Sequence, residues 1–337
     1  MIFRKCMQNN YLLKETMRSI LIDTDAGSDD AVALVMALTN PCLLVKGITV
    51  VAGNVCLEQG ISNVAYVTEI CKNKVDIFAG CEGPLVRAHT NATWFHGSDG
   101  FGDVGIRPSC APKINKLHAT EAIVNIVNES CGIELVTLGP LTNIALSIKR
   151  DPSIVKKIKI CTIMGGAPCC EGNITPAAEY NIFADPDAAK IVFLSGMKIR
   201  MIGWHLSRGS SVLNDKDLSL IANNGSLLSN FVLDSNCIAQ KAYLQQTGEV
   251  GLSLPDAVAM ACAIDPTICL SSSDHYVDIE TESLLTLGMT VVDRLDISSD
   301  IRNCEIWNDT LRNQKNKINI PWKIDGDKYK SMLLDCL

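Results

Sequence analysis

The stretch "SILIDTDAGSDDAVALVMAL", residues 19–38, sets an apolar run, a cluster of aspartates and a second apolar run in succession. The first run is typical of a buried strand, and the second has helical spacing from Ser28, which we expect to be the N-cap. Gly27 is expected to allow the bend between them. Four carboxylates so close together repel one another, so the turn needs something that relieves their charge. They are Asp23, Asp25, Asp29 and Asp30.

Short apolar runs alternate with helical periods along most of the 337 residues. Strands are expected at 19–24, 43–54, 133–138, 158–166 and 198–203 and near Ile77. Helices are expected at 28–40, 58–72, 119–129, after Asn143, from Pro186 to about Leu194 and, breaking the alternation, near 226–246 and 255–264. The alternation predicts an α/β fold in which helices cover both faces of an open, mostly parallel sheet with a Rossmann-like core. We assign residues 18–337 to this single domain and residues 1–17 to a poorly ordered N-terminal extension.

Segments rich in glycine and polar residues follow the predicted strand ends. In open α/β sheets, ligands bind beyond the carboxyl ends of the strands, so we expect these segments to meet at one rim. They are "DTDAGSDD" (23–30), "GN" (53–54), "LGPLTN" (138–143), "MGGAP" (164–168) and "GWHLSRG" (203–209).

Composition limits the partners and the compartment. A net charge of −7 and the lack of a long Lys/Arg run argue against nucleic-acid binding. No stretch reaches the roughly 18 apolar residues of a membrane span, and the first residues lack the apolar core of a signal peptide. Fifteen cysteines without a C-x-x-C pair indicate reduced thiols, so we expect a cytoplasmic protein. The absence of a P-loop and of a strand-linked G-x-G-x-x-G argues against nucleotide phosphates and NAD.

The aspartate turn favours a hard divalent cation. The positive end of a helix relieves part of the carboxylate charge, but a cation bound through oxygen relieves far more. Calcium takes about six to eight oxygen ligands, and the turn has no cysteine or histidine for zinc. An alternative is the D-x-D-x-T/V signature of haloacid-dehalogenase-type phosphatases, which "DTDAG" (23–27) resembles. Gly27 stands where that signature has threonine or valine.

The spacing D-x-D-x-x-x-D-D resembles the fingerprint of the inosine–uridine-preferring nucleoside hydrolases. The resemblance covers roughly residues 18–270 in matching order, which is far more specific than a single D-x-D pair. It continues through "TVVAGN" (49–54), "HGSDGFG" (96–102), "LGPLTNIALS" (138–147), "IMGG" (163–166), "EGNITPAAEYNIFADPDAA" (171–189) and "PDAVAMACAIDP" (255–266).

The resemblance implies calcium-dependent hydrolysis of the N-glycosidic bond of ribonucleosides to free base and ribose, by a homodimer or homotetramer. The implied calcium ligands are the carboxylates of Asp25, Asp30 and Asp256 and the backbone carbonyl of Leu138. Asp25 also matches the general base for the water, made more acidic by the cation, that attacks C1′ of the ribose. The residues that match the family's ribose contacts are Asp29, Asn54, Asn173, Glu179 and Asn181. A sugar diol needs donors and acceptors in pairs, which amides and carboxylates supply.

One position departs from the family pattern and leaves the base preference open. In the best-known members a histidine precedes the last metal aspartate and serves the leaving base, and here that residue is Pro255. Purine-specific members rely instead on aromatic stacking around the base, for which Trp94 is the candidate. His96 resembles a histidine of the base pocket and is the second catalytic candidate. We therefore expect a purine preference; the alternative is a ribose- or nucleoside-binding homologue with weak or no turnover.

Overall fold

A nine-stranded sheet organises the chain in the computed structural model, which describes residues 17–302 and 316–337. The strands are β1 (Arg18–Thr24), β2 (Leu43–Val50), β3 (Ile77–Ala79), β4 (Ile114–Asn115), β5 (Ile133–Thr137), β6 (Ile158–Met164), β7 (Ile199–Ile202), β8 (Cys269–His275), β9 (Val277–Ile279), β10 (Thr290–Val292) and β11 (Ile318–Ile324). The order in the sheet is β4-β3-β2-β1-β5-β6-β7-β11-β8, and β9 and β10 form a separate antiparallel pair. Neighbours in the large sheet are parallel, except that β8 runs antiparallel to β11. The predicted open, mostly parallel sheet is confirmed.

Helices cover both faces of this sheet. They are α1 (Ser28–Thr39), α2 (Leu57–Ile70), α3 (Thr93–His96), α4 (Ala119–Glu129), α5 (Thr142–Arg150), α6 (Tyr180–Ala184), α7 (Pro186–Phe193), α8 (Asp215–Asn224), α9 (Leu227–Ser235), α10 (Cys237–Thr247), α11 (Pro255–Ile264) and α12 (Gly326–Asp335). Because successive side chains of a strand point to opposite faces, β1 shows both layers. Ile20 and Ile22 belong to a buried apolar cluster with α1 and α11, whereas Leu21 belongs to one with α5 and α7.

The turn between β1 and α1 differs in detail from the sequence expectation. Gly27, rather than Ser28, is the N-cap residue of α1, and its φ of −74° is accessible to any residue. The left-handed conformation falls on Ala26, with a φ of 53°. Gly27 is needed for space, because a Cβ atom there would lie 2.6 Å from Nδ2 of Asn54. The glycine thus serves close packing rather than the bend.

The helix expected near 226–246 is two helices, α9 and α10, which meet at Asn236. The side-chain amide of Asn236 donates to the carbonyl of Val232 at 2.9 Å and to that of Ser28 at 3.3 Å. A side chain that bonds to nearby backbone carbonyls competes with continuation of the helix. The break therefore also ties these helices to the aspartate turn.

The position of β1 creates a crevice at the carboxyl edge of the sheet. β2 and β3 lie on one side of β1, and β5, β6 and β7 lie on the other. The connections that follow β1 and β5 therefore diverge, and ligands of open α/β sheets bind at such a switch point. The aspartate turn follows β1 and Leu138 follows β5, so both lie at this crevice.

The described residues contain no helix long and apolar enough to cross a membrane. No disulfide joins the cysteines within residues 17–302 and 316–337. The expected N-terminal extension at 1–17 lies outside the described residues, apart from Met17.

Candidate active site

A cavity opens at the crevice beside β1 and β5. Each of the five segments that follow the predicted strand ends supplies at least one residue to its wall. These residues are Asp29, Asn54, Leu138, Met164 and Trp204. The convergence expected from the topology is therefore observed, and it places Asp29 of the aspartate turn in the wall of this cavity.

Buried aspartates form the floor of this cavity. Asp29, Asp30 and Asp256 each offer one carboxylate oxygen within 4.8 Å of the others. Asp25 adjoins Asp30: burial, followed by the charge of Asp30, raises the pKa of Asp25 well above its ordinary value. Burial likewise raises the pKa of Asp30 to about 6 and that of Asp256 well above its ordinary value. A positive charge at this floor would therefore be strongly stabilised.

Several of these carboxylate oxygens are buried without a hydrogen-bond partner among the described residues. They are Oδ1 of Asp25, Oδ1 of Asp29 and Oδ1 of Asp256. Buried polar atoms are normally bonded, so each of them calls for an explanation. Hard divalent cations such as calcium and magnesium bind all-oxygen donor sets of this kind. The residues fit such a cation. Among the described residues the close set of carboxylates contains Asp30 and Asp256 as predicted, but it includes Asp29 and leaves Asp25 outside.

Asp25 is held by the backbone that follows β2. The N–H of Asn54 donates a hydrogen bond of 2.7 Å to Oδ2 of Asp25. Nδ2 of Asn54 donates to Oδ2 of Asp30 at 3.2 Å, so one residue joins both aspartates. On the other side, a Cβ atom at Gly139 would lie 2.9 Å from Cβ of Asp25. Asn54, which we expected to contact the ribose, therefore also fixes the acidic floor.

The backbone carbonyl of Leu138 reaches the same cavity from the end of β5. It accepts a hydrogen bond of 2.7 Å from Nδ2 of Asn181, which also donates to the carbonyl of Met164 at 3.3 Å. A carbonyl oxygen has two lone pairs, so the bond from Asn181 leaves one for another partner. The structure thus brings an expected metal ligand and an expected ribose contact into direct contact.

Glu179 and Asn173 enter the cavity from the segment before α6. Glu179 is the N-cap residue of α6: Oε1 accepts the N–H of Asn181 at 2.9 Å, and Oε2 accepts the N–H of Gly166 at 2.8 Å. Burial raises the pKa of Glu179 to about 7. Oδ1 of Asn173 accepts the N–H of Tyr180 at 2.8 Å. All five residues expected to contact ribose therefore line one cavity.

Trp94 and His96 line the cavity from α3 in different surroundings. Trp94 is 52% exposed and packs edge-to-face on Phe95, with ring centroids 5.4 Å apart. His96 is only 6% exposed, and its Nδ1 lies 3.8 Å from Oδ1 of Asp29. Burial lowers the pKa of His96, and the charge of Asp29 opposes that shift without reversing it. The imidazole is therefore neutral at neutral pH and is suited to donate a hydrogen bond rather than to act as a charged acid.

Sequence reasoning missed several wall residues. Tyr180 adjoins Glu179, so position alone could have identified it, whereas Trp204 lies in the segment 203–209 that was expected at the rim. Gln246 gives no such signal, because it lies near the end of α10 among polar residues. Its side chain donates to the backbone carbonyl of Asn173. His205, in the segment 203–209, donates from Nε2 to the carbonyl of Pro321 at 3.0 Å.

The fold and the cavity define an α/β protein with a buried, oxygen-rich site for a small polar ligand. The chain belongs to the inosine-uridine preferring nucleoside hydrolase family, whose model matches residues 20–331. It is therefore an N-ribosyl hydrolase, as the resemblance of the sequence implied.

Individual relatives differ in the nucleosides that their names specify. The chain is 34% identical to an inosine-uridine preferring nucleoside hydrolase of Leishmania major, over 95% of this chain and 97% of the relative. It is 32% identical to a pyrimidine-specific ribonucleoside hydrolase, RihB, of Escherichia coli strain SE11, over 86% and 91% of the two chains. Among solved structures, a purine-preferring ribonucleoside hydrolase from Gardnerella vaginalis is similar with a TM-score of 0.82 at 27% identity, covering 95% of this chain and 99% of that one.

Proposed function

We propose that this enzyme hydrolyses ribonucleosides to free base and ribose in a calcium-dependent reaction, with a preference for purine nucleosides. The observation that carries the proposal is the cavity itself. It places a floor of buried carboxylates with unbonded oxygens next to a wall of amide and carboxylate groups suited to a sugar diol. The aromatic side chain of Trp94 lies at the same cavity, where a base can stack.

In this proposal the cation is held at the acidic floor. Its ligands are the carboxylates of Asp25, Asp30 and Asp256 and the carbonyl of Leu138, with Asp29 adjoining them. A bound calcium ion would offset the charge of these carboxylates and make a water molecule at the site more acidic. Asp25 acts as the general base, because its Oδ1 has no partner within the described chain and can take the proton of that water.

The polar wall orients the ribose and stabilises the charge that develops on it. Cleavage of an N-glycosidic bond has an oxocarbenium-like transition state, as in glycoside hydrolysis. Carboxylates fixed beside the sugar favour that positive charge, and Asp29 and Glu179 are fixed and buried. The amides of Asn54, Asn173 and Asn181 supply the remaining donors and acceptors for the hydroxyls.

The purine preference rests on residues of this chain, because the named relatives include both purine-preferring and pyrimidine-specific enzymes. Pro255 begins α11 at the cavity and has no proton to give to a leaving base. A purine can accept a proton at N7, and stacking on the indole of Trp94 favours the protonated ring. His96 is the candidate hydrogen-bond donor to the base.

The direct test follows the release of base and ribose from inosine, adenosine, guanosine, uridine and cytidine, with calcium and after chelation. We expect turnover only with the metal and faster turnover of the purine nucleosides. Asp25→Ala should abolish turnover and weaken calcium binding. Asp23→Asn is the matched control, because Asp23 is an equally buried aspartate with one unbonded oxygen, Oδ2, and the proposal gives it no part in the metal site. Its Oδ1 accepts hydrogen bonds from Thr49 at 2.5 Å and from Asn143 at 2.8 Å. Full activity of chelated Asp25→Ala protein would contradict both the metal and the base assignments.

Pro255 also motivates an alternative function, a ribose- or nucleoside-binding homologue with weak or no turnover. Titration calorimetry that detects nucleoside binding without release of base would favour it.

Assembly as a homodimer or homotetramer and a cytoplasmic location complete the proposal. The family resemblance supports the first, and the lack of disulfides among the described cysteines supports the second. Analytical ultracentrifugation and cell fractionation test them.

A further inference from the structure

Ser28 makes two contacts with one atom of His96. Its backbone N–H donates to Nδ1 of His96 at 3.3 Å, and its hydroxyl lies 2.9 Å from the same nitrogen. Ser28 is fully buried, as the first residue of α1, and His96 is the last residue of α3. The contact therefore joins the aspartate turn to the short helix that lines the base side of the cavity.

These contacts decide which nitrogen of His96 carries the proton. A backbone N–H can only donate, so the nitrogen that receives it must present a lone pair. Nδ1 therefore carries no hydrogen, and the hydroxyl of Ser28 donates to it as well. The single N–H hydrogen of the neutral ring then lies on Nε2. Which ring nitrogen is protonated is set by the partner of the other one. Nε2 bonds no other described residue in the structure, and the ring borders the cavity.

We propose that Ser28 is a positioning residue that locks His96 as the Nε2–H tautomer, so that Nε2–H donates a hydrogen bond to the departing base. This inference rests on the proposed hydrolysis and deepens it by assigning the leaving-group contact. Pro255 cannot make such a contact, and His96 supplies a fixed donor at the same cavity. As the glycosidic bond breaks, its electron pair passes to the base, so a hydrogen bond to the base strengthens and accelerates its departure whether or not N7 is protonated.

Asp29 is the competitor for the proton of His96. Its unbonded Oδ1 lies 3.8 Å from Nδ1, beyond hydrogen-bond distance, and would attract the proton to Nδ1 if Ser28 did not occupy that nitrogen. Loss of the Ser28 contacts should therefore move the proton from the cavity side of the ring to the Asp29 side. The donor to the base would then be lost.

Two variants remove the contacts in steps. Ser28→Ala removes the hydroxyl and keeps the N–H. Ser28→Pro removes both, at the first position of a helix, where proline is favoured, and after Gly27, whose ψ of −174° is extended as the residue before proline requires. Its Cδ atom takes the place of the N–H hydrogen that faces Nδ1, so the ring must also move, and Ser28→Ala is the variant that leaves the space of the ring unchanged. Ser229→Ala is the matched control, because Ser229 is an equally buried serine in α9 that is not among the residues lining the cavity.

Nitrogen NMR of histidine-labelled protein, recorded after chelation and assigned with His96→Asn, reads the tautomer without reference to activity. We expect a bare Nδ1 and a protonated Nε2 in the wild type and in Ser229→Ala. In Ser28→Pro we expect signals of the Nδ1–H form. A protonated Nδ1 in the wild type, or an unchanged ring in Ser28→Pro, would overturn the proposal.

Substrates with different leaving groups provide the kinetic test. Inosine needs help for its base to leave, whereas 4-nitrophenyl riboside releases a stable anion without it. For Ser28→Pro we expect the ratio of kcat on 4-nitrophenyl riboside to kcat on inosine to rise about tenfold, the effect of one lost hydrogen bond. Ser28→Ala should give a smaller rise, and Ser229→Ala none. An unchanged ratio in Ser28→Pro contradicts the proposal, whereas a wild type that cleaves neither substrate contradicts the proposed function and leaves the NMR result to decide the tautomer.

Discussion

A Cβ atom at Gly53 would lie 2.8 Å from Cγ of Asp25. Real Cβ contacts essentially never come so close, so the backbone after β2 can approach the carboxylate only because residue 53 has no side chain. This approach is what allows the N–H of Asn54 to bond Oδ2 of Asp25 at 2.7 Å. Gly53 therefore helps to position Asp25, the proposed general base.

Replacement of this glycine should disable the enzyme without unfolding it. In Gly53→Ala the added methyl group must displace the Asp25 carboxylate, and a shift of about 1 Å at a reacting group costs on the order of 100-fold in rate. We expect kcat/KM for inosine to fall by about that factor. The circular dichroism spectrum should stay that of a folded protein, and thermal unfolding should stay cooperative. Gly83→Ala is the control, because its added Cβ would only touch Cβ of His89 at 3.8 Å. Equal activity of the two variants would contradict the role of Gly53.

Removal of the cation should make stability depend on pH across the acidic range. The pKa of Asp30 is raised from 3.8 to about 6 and that of Glu179 from 4.5 to about 7, in both cases mainly by burial. Between these ordinary and raised values the folded chain binds more protons than the unfolded chain, so the free energy of unfolding falls as pH rises. The stabilisation is complete below about pH 4 and is lost as pH rises through about 6 to 7. We expect the Tm of chelated protein to fall across this window, as measured by calorimetry.

Calcium provides the control for this pH dependence. A ligand that binds only the folded state raises the free energy of unfolding with the logarithm of its excess over Kd and so raises Tm, and a cation favours ionised carboxylates. With excess calcium the Tm should be higher at pH 7 and the fall between about pH 5 and 7 should be smaller. In chelated Asp256→Asn protein the fall of Tm with pH should also be smaller than in the chelated wild type, because one of the buried acids is gone. A Tm of the chelated wild type that rises with pH through this window would rule out the raised pKa values.

Ribose recognition predicts strong discrimination against deoxynucleosides. The amides and carboxylates of Asn54, Glu179 and Asn181 lie in one cavity, and a substrate without a hydroxyl leaves some of them unpaired. Sites built to bond a hydroxyl reject the analogue that lacks it by on the order of 10⁴-fold. We therefore expect 2′-deoxyinosine and 3′-deoxyinosine to be very poor substrates relative to inosine in kcat/KM. Similar values for inosine and 2′-deoxyinosine would show that these side chains do not hold the sugar.

Local sequence signals were sufficient for the central part of the fold. The strand and helix on either side of the aspartate turn follow from short-range apolar spacing, and α4 and α11 match their expected bounds. The site could be located because it is assembled from strand ends, whose meeting at one edge is a consequence of a parallel sheet. The calcium ligands and the ribose contacts came from family resemblance rather than from these patterns.

Features set by distant contacts could not be predicted. The break at Asn236 depends on the carbonyl of Ser28, which is 208 residues away in the chain. The left-handed conformation of Ala26 is imposed by its surroundings, since alanine has no preference for it. The edge strand β8 was missed because its sequence, "CLSSSDH", is polar and largely exposed and has no apolar alternation. Its place is determined by pairing with β11.

The last prediction concerns the base, and it depends on the half-exposed ring of Trp94. A purine protonated at N7 gains a cation–π attraction of roughly 0.5–2 kcal/mol on an indole, and pyrimidine nucleosides have no equivalent nitrogen. Inosine, adenosine and guanosine should therefore be cleaved faster than uridine and cytidine, and Trp94→Ala should lower kcat/KM for inosine by about three- to tenfold. Calcium affinity, measured by titration calorimetry, should stay unchanged, because Trp94 lies outside the aspartate cluster. Trp94→Phe should retain part of the rate, since a phenyl ring also stacks. Faster turnover of uridine than of inosine, or a kinetically silent Trp94→Ala, would remove Trp94 from the base site and leave His96 as the group that assists the leaving base.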